Sequence, residues 1–362
     1  MSTGGIQRQP FTRSTLLILL AIAVIGIAGP FVAADFTKQL TVFWVMVLIA
    51  YTWDTMGGQM GYNSFGNIVF FGVGMYVSAI VQIAPYTDLT AYTAAGAQGS
   101  ALVLDHGQYF LGLGLGALAA GVCGLLMAVI VGSGILGLRG HYFAIGTLAL
   151  SIFAAEMVSG WELVGGGSGI TMPGYPGTSI ASEQEKTLIF YFLCFALAGA
   201  AFLLLQWLYS TRFGLAINAI RDDEDKAEAM GIKTARYKTI AWAISGFFLG
   251  ICGALYGNLL IHVDPRDTAF DGPGLGVWMV LMVVLGGKGT FWGPLIGAVL
   301  FHVTKELFWS YLLGLQYIAL GILVVVIVVF FPEGIMGWFR AHYPHWFGER
   351  IDTGKQTGEA SP

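Results

Sequence analysis

Long apolar runs, separated by short polar or glycine-rich segments, make up most of this 362-residue chain. A helix that crosses a lipid bilayer needs about 20 mostly apolar residues. Runs of about this length occupy residues 15–34, 39–56, 62–84, 109–136, 142–163, 187–209, 238–260, 273–287, 291–309 and 313–331. The pattern therefore predicts an all-α, polytopic integral membrane protein with about ten transmembrane helices.

Lysine and arginine residues between these runs predict the orientation of the helices, because cytoplasmic loops carry an excess of both. If the N-terminus is cytoplasmic, only Lys38, Lys186, Arg266 and Lys305 of the 17 lysine and arginine residues fall on the external side. An even number of spans then makes the C-terminus cytoplasmic as well.

This orientation divides the chain into three parts. We expect a cytoplasmic N-terminal segment over residues 1–14 and a transmembrane domain over 15–335. A charged cytoplasmic loop interrupts that domain at 210–237. A cytoplasmic tail covers 336–362, and its polar end is expected to be disordered.

Composition agrees with lipid as the main solvent. The chain is 56% hydrophobic and only 10% charged, whereas a soluble domain carries about 25% charged residues. The net charge of −4 gives no electrostatic footprint for nucleic acid, so no such partner is expected. The 52 glycines are typical of closely packed membrane helices.

Motifs for catalysis or cofactor binding are missing from the sequence. The segment "GGKGT" at Gly286–Thr290 lacks the spacing of a phosphate-binding loop, so this chain is not expected to hydrolyse nucleotide. No histidine pair or cysteine spacing predicts a metal site. We therefore expect no cofactor and no enzymatic activity, which leaves a transporter, a channel or a membrane scaffold.

The densest charge in the chain lies in Arg221–Lys238, "RDDEDKAEAMGIKTARYK", where acidic and basic residues alternate with alanines. Acidic residues near its start favour the positive end of a helix dipole, and Gly231 is well placed to end a helix. The pattern predicts a short helix over Asp222–Met230. This helix is either a solvated connector or a docking element that presents Ala227, Ala229 and Gly231 to a partner.

A longer stretch around this helix, "FGLAINAIRDDEDKAEAMGIKTARYKTIAWAISGFFLGICGALYG", resembles the coupling loop of permease subunits of bacterial ABC importers. It is most similar to the branched-chain amino acid permeases. Four further segments resemble the same family in the same order: Gly61–Tyr76, Leu138–Ser151, Gly165–Ile170 and Met282–Phe301. His141 stands where the family commonly has Asp. The resemblance covers about residues 40–335.

The resemblance implies a permease subunit that moves branched-chain or other apolar amino acids across the bacterial inner membrane by alternating access. ATP hydrolysis would occur in separate subunits. The implied partners are two ATP-binding subunits, a related sister permease in a heterodimer, a periplasmic substrate-binding protein and membrane lipid. The residues implied to couple the chain to the ATPase are Arg221, Asp222, Glu224, Ala227, Glu228, Ala229, Gly231 and Ile232.

Five further residues are candidates for the translocation path: Asp54, Asn63, Glu156, Gly166 and Gly169. Asp54 either lines a polar path or lies at the cytoplasmic end of a span. Glu156 either binds a substrate ammonium or pairs with a neighbouring helix, since charges at membrane depth face protein or water. The two glycines belong to a loop at 164–186 that either contacts a binding protein, gates the outer mouth or connects two helices flexibly.

Two interpretations remain beside the leading one. Related importers carry urea, amides or small aromatic and carboxylic acids, and the permease sequence barely separates these cargoes. An ion-coupled secondary transporter would place titratable residues at corresponding positions of two repeats, and no such pair is seen.

The segment "LGGKGTFWGPLIG" is either a broken helix that offers backbone groups to substrate or a tight cytoplasmic turn.

Overall fold

The computed structural model describes residues 13–94, 102–177, 180–311 and 334–342, together with 315, 318, 321–322, 325–326 and 329–330. Most of the predicted N-terminal segment, most of the predicted last span at 313–331 and the end of the predicted tail lie outside the described residues.

Helices account for most of the described chain. They are α1 (Arg13–Val32), α2 (Thr37–Gly57), α3 (Ile68–Ile83), α4 (Leu89–Ala94), α5 (His106–Ile135), α6 (Gly140–Ser159), α7 (Ile180–Tyr209), α8 (Arg212–Asp222), α9 (Glu224–Ala229), α10 (Thr234–Leu260), α11 (Val277–Gly286), α12 (Gly293–Tyr311) and α13 (Gly334–His342). Within the described residues, six helical segments are long and apolar enough to cross a membrane, and α3 and the apolar part of α1 are shorter apolar helices. The protein is thus an all-α, multi-pass membrane protein, as predicted.

Two of the predicted spans begin later than the apolar pattern indicates. The run at 62–84 becomes helical only at Ile68, because residues 58–67 form an irregular connector between α2 and α3. The run at 273–287 becomes α-helical only at Val277, after the π-helical turns Pro265–Ala269 and Gly272–Gly276. In both places the backbone groups bond to side chains or to neighbouring segments, so hydropathy alone does not reveal the break.

The centre of the bundle is formed by α3, α5 and α10, which approach each other closely at glycines. A Cβ atom on Gly250 of α10 would overlap the carbonyl oxygen of Ala120 on α5, and one on Gly74 of α3 would overlap that of Gly250. Gly124 and Gly246 form a second such crossing between α5 and α10. The prediction that glycines allow close packing of these helices is confirmed.

One end of the bundle gathers the connector at 58–67, residues 136–139, the loop at 210–233 and the α11–α12 turn at 287–292. We call it the charged end, because it holds the densest ion pairs of the described residues. The opposite end carries a two-stranded antiparallel pairing of β1 (Ile170–Thr171) with β2 (His262–Val263).

Candidate functional site

The short helix α9 projects from the charged end between α8 and α10. Asp223 is extended and caps it, because its side chain accepts a hydrogen bond from the Lys226 backbone nitrogen at 3.0 Å. Gly231, with φ +88°, reverses the chain after the helix. The predicted helix over Asp222–Met230 is therefore present but shorter, since Asp222 is the last residue of α8.

The small residues in and after α9 do not form the single exposed face that the sequence indicates. Ala227 is buried at 3% exposure, whereas Ala229 and Gly231 are exposed. The three residues therefore do not share one open face. Met230, which follows the helix, is 85% exposed and lies in a segment of the sequence rich in charged residues. Met230 is not among the coupling residues that the family resemblance implies, although a lone methionine in a charged loop is a readable signal.

Of the remaining coupling candidates, Arg221, Asp222 and Glu228 are exposed, and Ile232 is partly buried. Glu224 faces inward instead, with a side chain only 12% exposed. The hydrogen bond from Ile232 nitrogen to the Ala227 carbonyl, 3.0 Å long, closes the turn after α9. The structure thus divides these residues into an outward set and an inward set.

Glu224 belongs to a polar network below α9, which we call the Lys238 network (Tyr62, Leu136, Glu224 and Lys238). Lys238 is 3% exposed, and its Nζ lies 2.6 Å from a Glu224 carboxylate oxygen. The same ammonium donates at 3.0 Å to the Tyr62 hydroxyl and at 3.0 Å to the Leu136 carbonyl. The Tyr62 hydroxyl in turn donates to Glu224. Four elements therefore meet at one buried ammonium.

Two opposing effects act on the pKa of Glu224. Burial raises it, but hydrogen bonds from Lys238 and Tyr62 and the charges of Lys238 and Arg139 bring the pKa below its usual value. A lowered pKa means that Glu224 stays ionised at neutral pH, and that its contribution to stability is lost only as the pH falls through that lowered value. The carboxylate is therefore held as an ion-pair partner.

Arg139, at the start of α6, forms ion pairs on the outer side of α9. Its guanidinium lies 2.6 Å from Asp225, 3.6 Å from Glu224 and 3.7 Å from Glu228. Exposed pairs of this kind contribute little to stability, and Arg139 is half exposed. His141, which replaces the family's usual Asp two residues later, is exposed. The buried pair below α9 is the stronger attachment.

Asp54 and Asn63 lie at the charged end, beside the turn between α11 and α12. Asp54, 2% exposed, accepts a hydrogen bond from the Gly289 nitrogen at 3.0 Å. Lys288 donates to Asn63 at 2.9 Å. Of the two interpretations of Asp54, the structure favours the end of a span. Residues 287–292 form a tight non-helical turn between α11 and α12.

The other three path candidates lie at the opposite end. Glu156 pairs with Arg266 at 2.8 Å, and both side chains are more than half exposed. Gly169 has φ +75°, and a Cβ there would overlap the carbonyl oxygen of Val263. Gly166 has φ +54° in the preceding turn. The five candidates therefore do not form one site, and Glu156 has a protein partner already.

The described part of the glycine-rich loop is pinned to the protein by the β1–β2 pairing and by Gly169. We expect Gly169→Val to weaken this end by about 2 kcal/mol or more, because a β-branched residue suits neither the positive φ nor the backbone contact. Limited proteolysis of the purified protein, with cleavage sites mapped over 160–177, measures the effect. Gly167→Val is the matched control, because Gly167 has ordinary φ and its nearest neighbour atom is 4.0 Å away. Equal cleavage of both variants would contradict the prediction.

An apolar cavity of about 390 Å³ lies between α1, α2, α7 and α12. Its lining includes Trp44, Tyr51, Phe195, Phe202 and Trp292, and no charged side chain. A zwitterionic amino acid needs partners for both of its charges, so this cavity is not a site for one. Within the described residues, no group of three or more His, Cys, Asp or Glu side chains is arranged to hold a metal ion.

Comparison with known proteins identifies relatives among transport permeases. Residues 36–330 match the family described as branched-chain amino acid transport system, permease component. The chain is 24% identical over 348 residues to the high-affinity branched-chain amino acid transport system permease protein LivM of Escherichia coli K12, covering 90% of this chain and 75% of the relative. The family expected from the sequence motifs is confirmed.

Two further relatives show the range of the similarity. The high-affinity branched-chain amino acid transport system permease protein LivH of Escherichia coli K12 is 24% identical over 205 residues, which are 53% of this chain and 63% of the relative. The putative glucose ABC transporter permease protein TsgC13 of Haloferax volcanii is 26% identical over 228 residues, which are 56% of this chain and 61% of the relative. No solved structure matches the chain.

Proposed function

We propose that this chain is the LivM-like permease subunit of an ABC importer, because it belongs to the branched-chain amino acid transport permease family. The cargo that we propose is a branched-chain or other apolar amino acid, the class named for the family and for LivM. The multi-pass helical fold with its buried glycine crossings supports a membrane permease.

The observation that carries this proposal is the exposed face of α9. Asp222, Asp225, Glu228 and Met230 are all exposed in or beside this helix, and Met230, at 85%, is the most exposed large hydrophobic side chain described at the charged end. An apolar anchor with a polar rim is typical of the centre of a protein interface. We propose that two ATP-binding subunits dock at such faces, one on this chain and one on a sister permease.

The mechanism that we propose is alternating access. A periplasmic binding protein delivers substrate to the opposite end, where the β1–β2 pairing lies. Closure of the ATP-binding subunits moves α9, and the permease pair changes which side is open. ATP is bound and hydrolysed in those subunits, so this chain would hold no cofactor and would not itself be an enzyme.

The proposed orientation places both termini and the charged end in the cytoplasm of a bacterial cell, with about ten spans in the inner membrane. The transmembrane permease domain would then cover residues 15–335. The distribution of lysine and arginine supports this orientation, since Arg139, Arg221, Lys226 and Lys288 all lie at the charged end and cytoplasmic loops are rich in both residue types.

The cargo has a second candidate class. Importers for urea, amides or small aromatic and carboxylic acids resemble this family, and the TsgC13 relative is described as a putative glucose permease. Selectivity in such importers resides largely in the separate binding protein. The ligand of the binding protein that works with this chain therefore separates these cargoes.

Co-purification tests the proposed assembly. We expect the tagged chain, extracted from its native host in mild detergent, to carry along a sister permease and ATP-binding subunits, which mass spectrometry identifies. The associated binding protein is then titrated with leucine, urea, glucose and benzoate by calorimetry. A chain that purifies alone, with uptake driven by an ion gradient, would instead support a secondary transporter.

A further inference from the structure

The connector at 58–67 is attached to more elements than its length requires. Trp53 of α2 donates to the Ser64 carbonyl at 2.5 Å, and Trp242 of α10 donates to Asn67 at 2.8 Å. The Phe65 nitrogen donates to Thr147 of α6 at 3.1 Å. These bonds fix an irregular backbone segment to three separate helices.

Two further contacts join the connector to α8 and to the turn between α11 and α12 at the charged end. Gly61, with φ +80°, lies against Arg221 of α8, close enough that an added Cβ would be 3.2 Å from the Arg221 side chain. Asn63 accepts a hydrogen bond from Lys288 in the α11–α12 turn. The connector thus contacts α8, which precedes α9, and the turn between α11 and α12, which follows α10.

The Lys238 network is the buried attachment of α9 to this connector. Asp223 before α9 and Met230 after it are not α-helical, so α9 is a separate short helix between α8 and α10. Its inward side is held by Glu224, through Lys238 and the Tyr62 hydroxyl. A displacement of α9 would therefore act on Tyr62 and, through Lys238, on the Leu136 carbonyl at the end of α5.

Stability alone is a weak reason for such a network. Burying an ammonium and a carboxylate costs desolvation energy, and apolar replacements of similar volume are often as stable. A buried ion pair does fix the register of the elements that it joins, which is the better supported role of such pairs. Here the ion pair joins the proposed docking helix to α10, and the Tyr62 hydroxyl attaches the connector to the same pair.

We infer that Tyr62, Glu224 and Lys238 are positioning residues that transmit the displacement of α9 through the connector to the membrane helices. This inference rests on the proposed docking of ATP-binding subunits at α9. Lys238 forms an ion pair with the Glu224 carboxylate, and the Tyr62 hydroxyl links this pair to the connector by hydrogen bonds. Loss of the link would leave docking intact while ATP hydrolysis no longer drives the opening and closing of the path.

The test uses the full complex, with its sister permease, ATP-binding subunits and binding protein, reconstituted in liposomes. Tyr62→Phe removes only the linking hydroxyl, and Lys238→Met replaces the ammonium by an apolar side chain of similar length. We measure leucine uptake and ATP hydrolysis in the same preparation. We expect the leucine transported per ATP hydrolysed to fall roughly tenfold in both variants, with complex assembly unchanged.

Tyr237→Phe is the matched control, because it removes a tyrosine hydroxyl from the residue next to Lys238 on α10 but outside the Lys238 network, and keeps the ring that packs on Phe213; it is expected to keep the wild-type ratio. A wild-type ratio in Tyr62→Phe would overturn the inference. Loss of assembly in Tyr62→Phe would overturn it as well, since the network would then serve stability. If the wild-type chain binds no ATP-binding subunit, the proposed function itself fails, which is a separate result.

Discussion

Replacing Gly250 with leucine is expected to abolish accumulation of the folded protein in the membrane. Gly250 lies where α3, α5 and α10 meet, and any Cβ there would overlap the Ala120 carbonyl oxygen. Relief requires separation of whole helices, because the obstacle is backbone and not a side chain that can rotate. Inserting extra atoms into an ordinary core costs about 1–3 kcal/mol, and we expect this site to exceed that range.

Fluorescence-detected size-exclusion chromatography measures this effect as the amount of monodisperse protein after detergent extraction. Gly114→Leu is the matched control, because Gly114 lies on α5, one of the same three helices, and no atom would lie within 4 Å of its added Cβ. The control is expected to elute like the wild type. Equal peak heights for the Gly250→Leu and Gly114→Leu variants would show that the three helices can move apart at little cost.

Replacing Met230 with aspartate is expected to weaken binding of the ATP-binding subunits about 30-fold or more, since interface anchors contribute roughly 2 kcal/mol or more. Met230 is 85% exposed, so the change leaves the packing of the chain itself untouched. A carboxylate at the centre of an apolar pocket would be desolvated without a partner, which is costly. Titration of labelled ATP-binding subunits onto the permease pair in nanodiscs measures the affinity.

Two variants make the Met230 result specific. Met230→Leu keeps an apolar side chain of similar volume and is expected to bind within about threefold of wild type. Ala235→Asp adds the same charge to another exposed position of the charged end and is expected to have a small effect. If Met230→Asp binds as tightly as Met230→Leu, the side chain is not an interface anchor.

The positions of the helices follow from the sequence because membrane insertion is governed by hydropathy over about 20 residues. The run at 109–136, for example, corresponds to α5 at His106–Ile135. The run at 62–84 places the start of α3 six residues too early, because the aromatic residues at 62 and 65 extend the apolar pattern into the connector. The connector's backbone groups are satisfied by Trp53, Thr147 and other distant partners, which a local pattern does not contain.

The segment that we propose for coupling stands out in the sequence by its charge and by its resemblance to known permeases, but the burial of its residues does not. The resemblance implies coupling roles for Glu224 and Ala227 together with the exposed residues of the segment, whereas the structure shows that these two face inward. In a helix of six residues, which side faces the protein depends on the chain beneath it. Lys238 and Tyr62 decide that side, and they are 14 and 162 positions away from Glu224 in the sequence.

The sequence by itself determined the class of this protein: apolar runs and scarce charge require a lipid environment, and five ordered motifs indicate a permease family. Only the tertiary structure decided that Asp54 bonds to the turn between α11 and α12 and that Glu156 pairs with Arg266. It also revealed the Lys238 network. Hydropathy is a property of neighbouring residues, whereas an ion pair needs two atoms within about 4 Å, and folding alone brings such distant residues together.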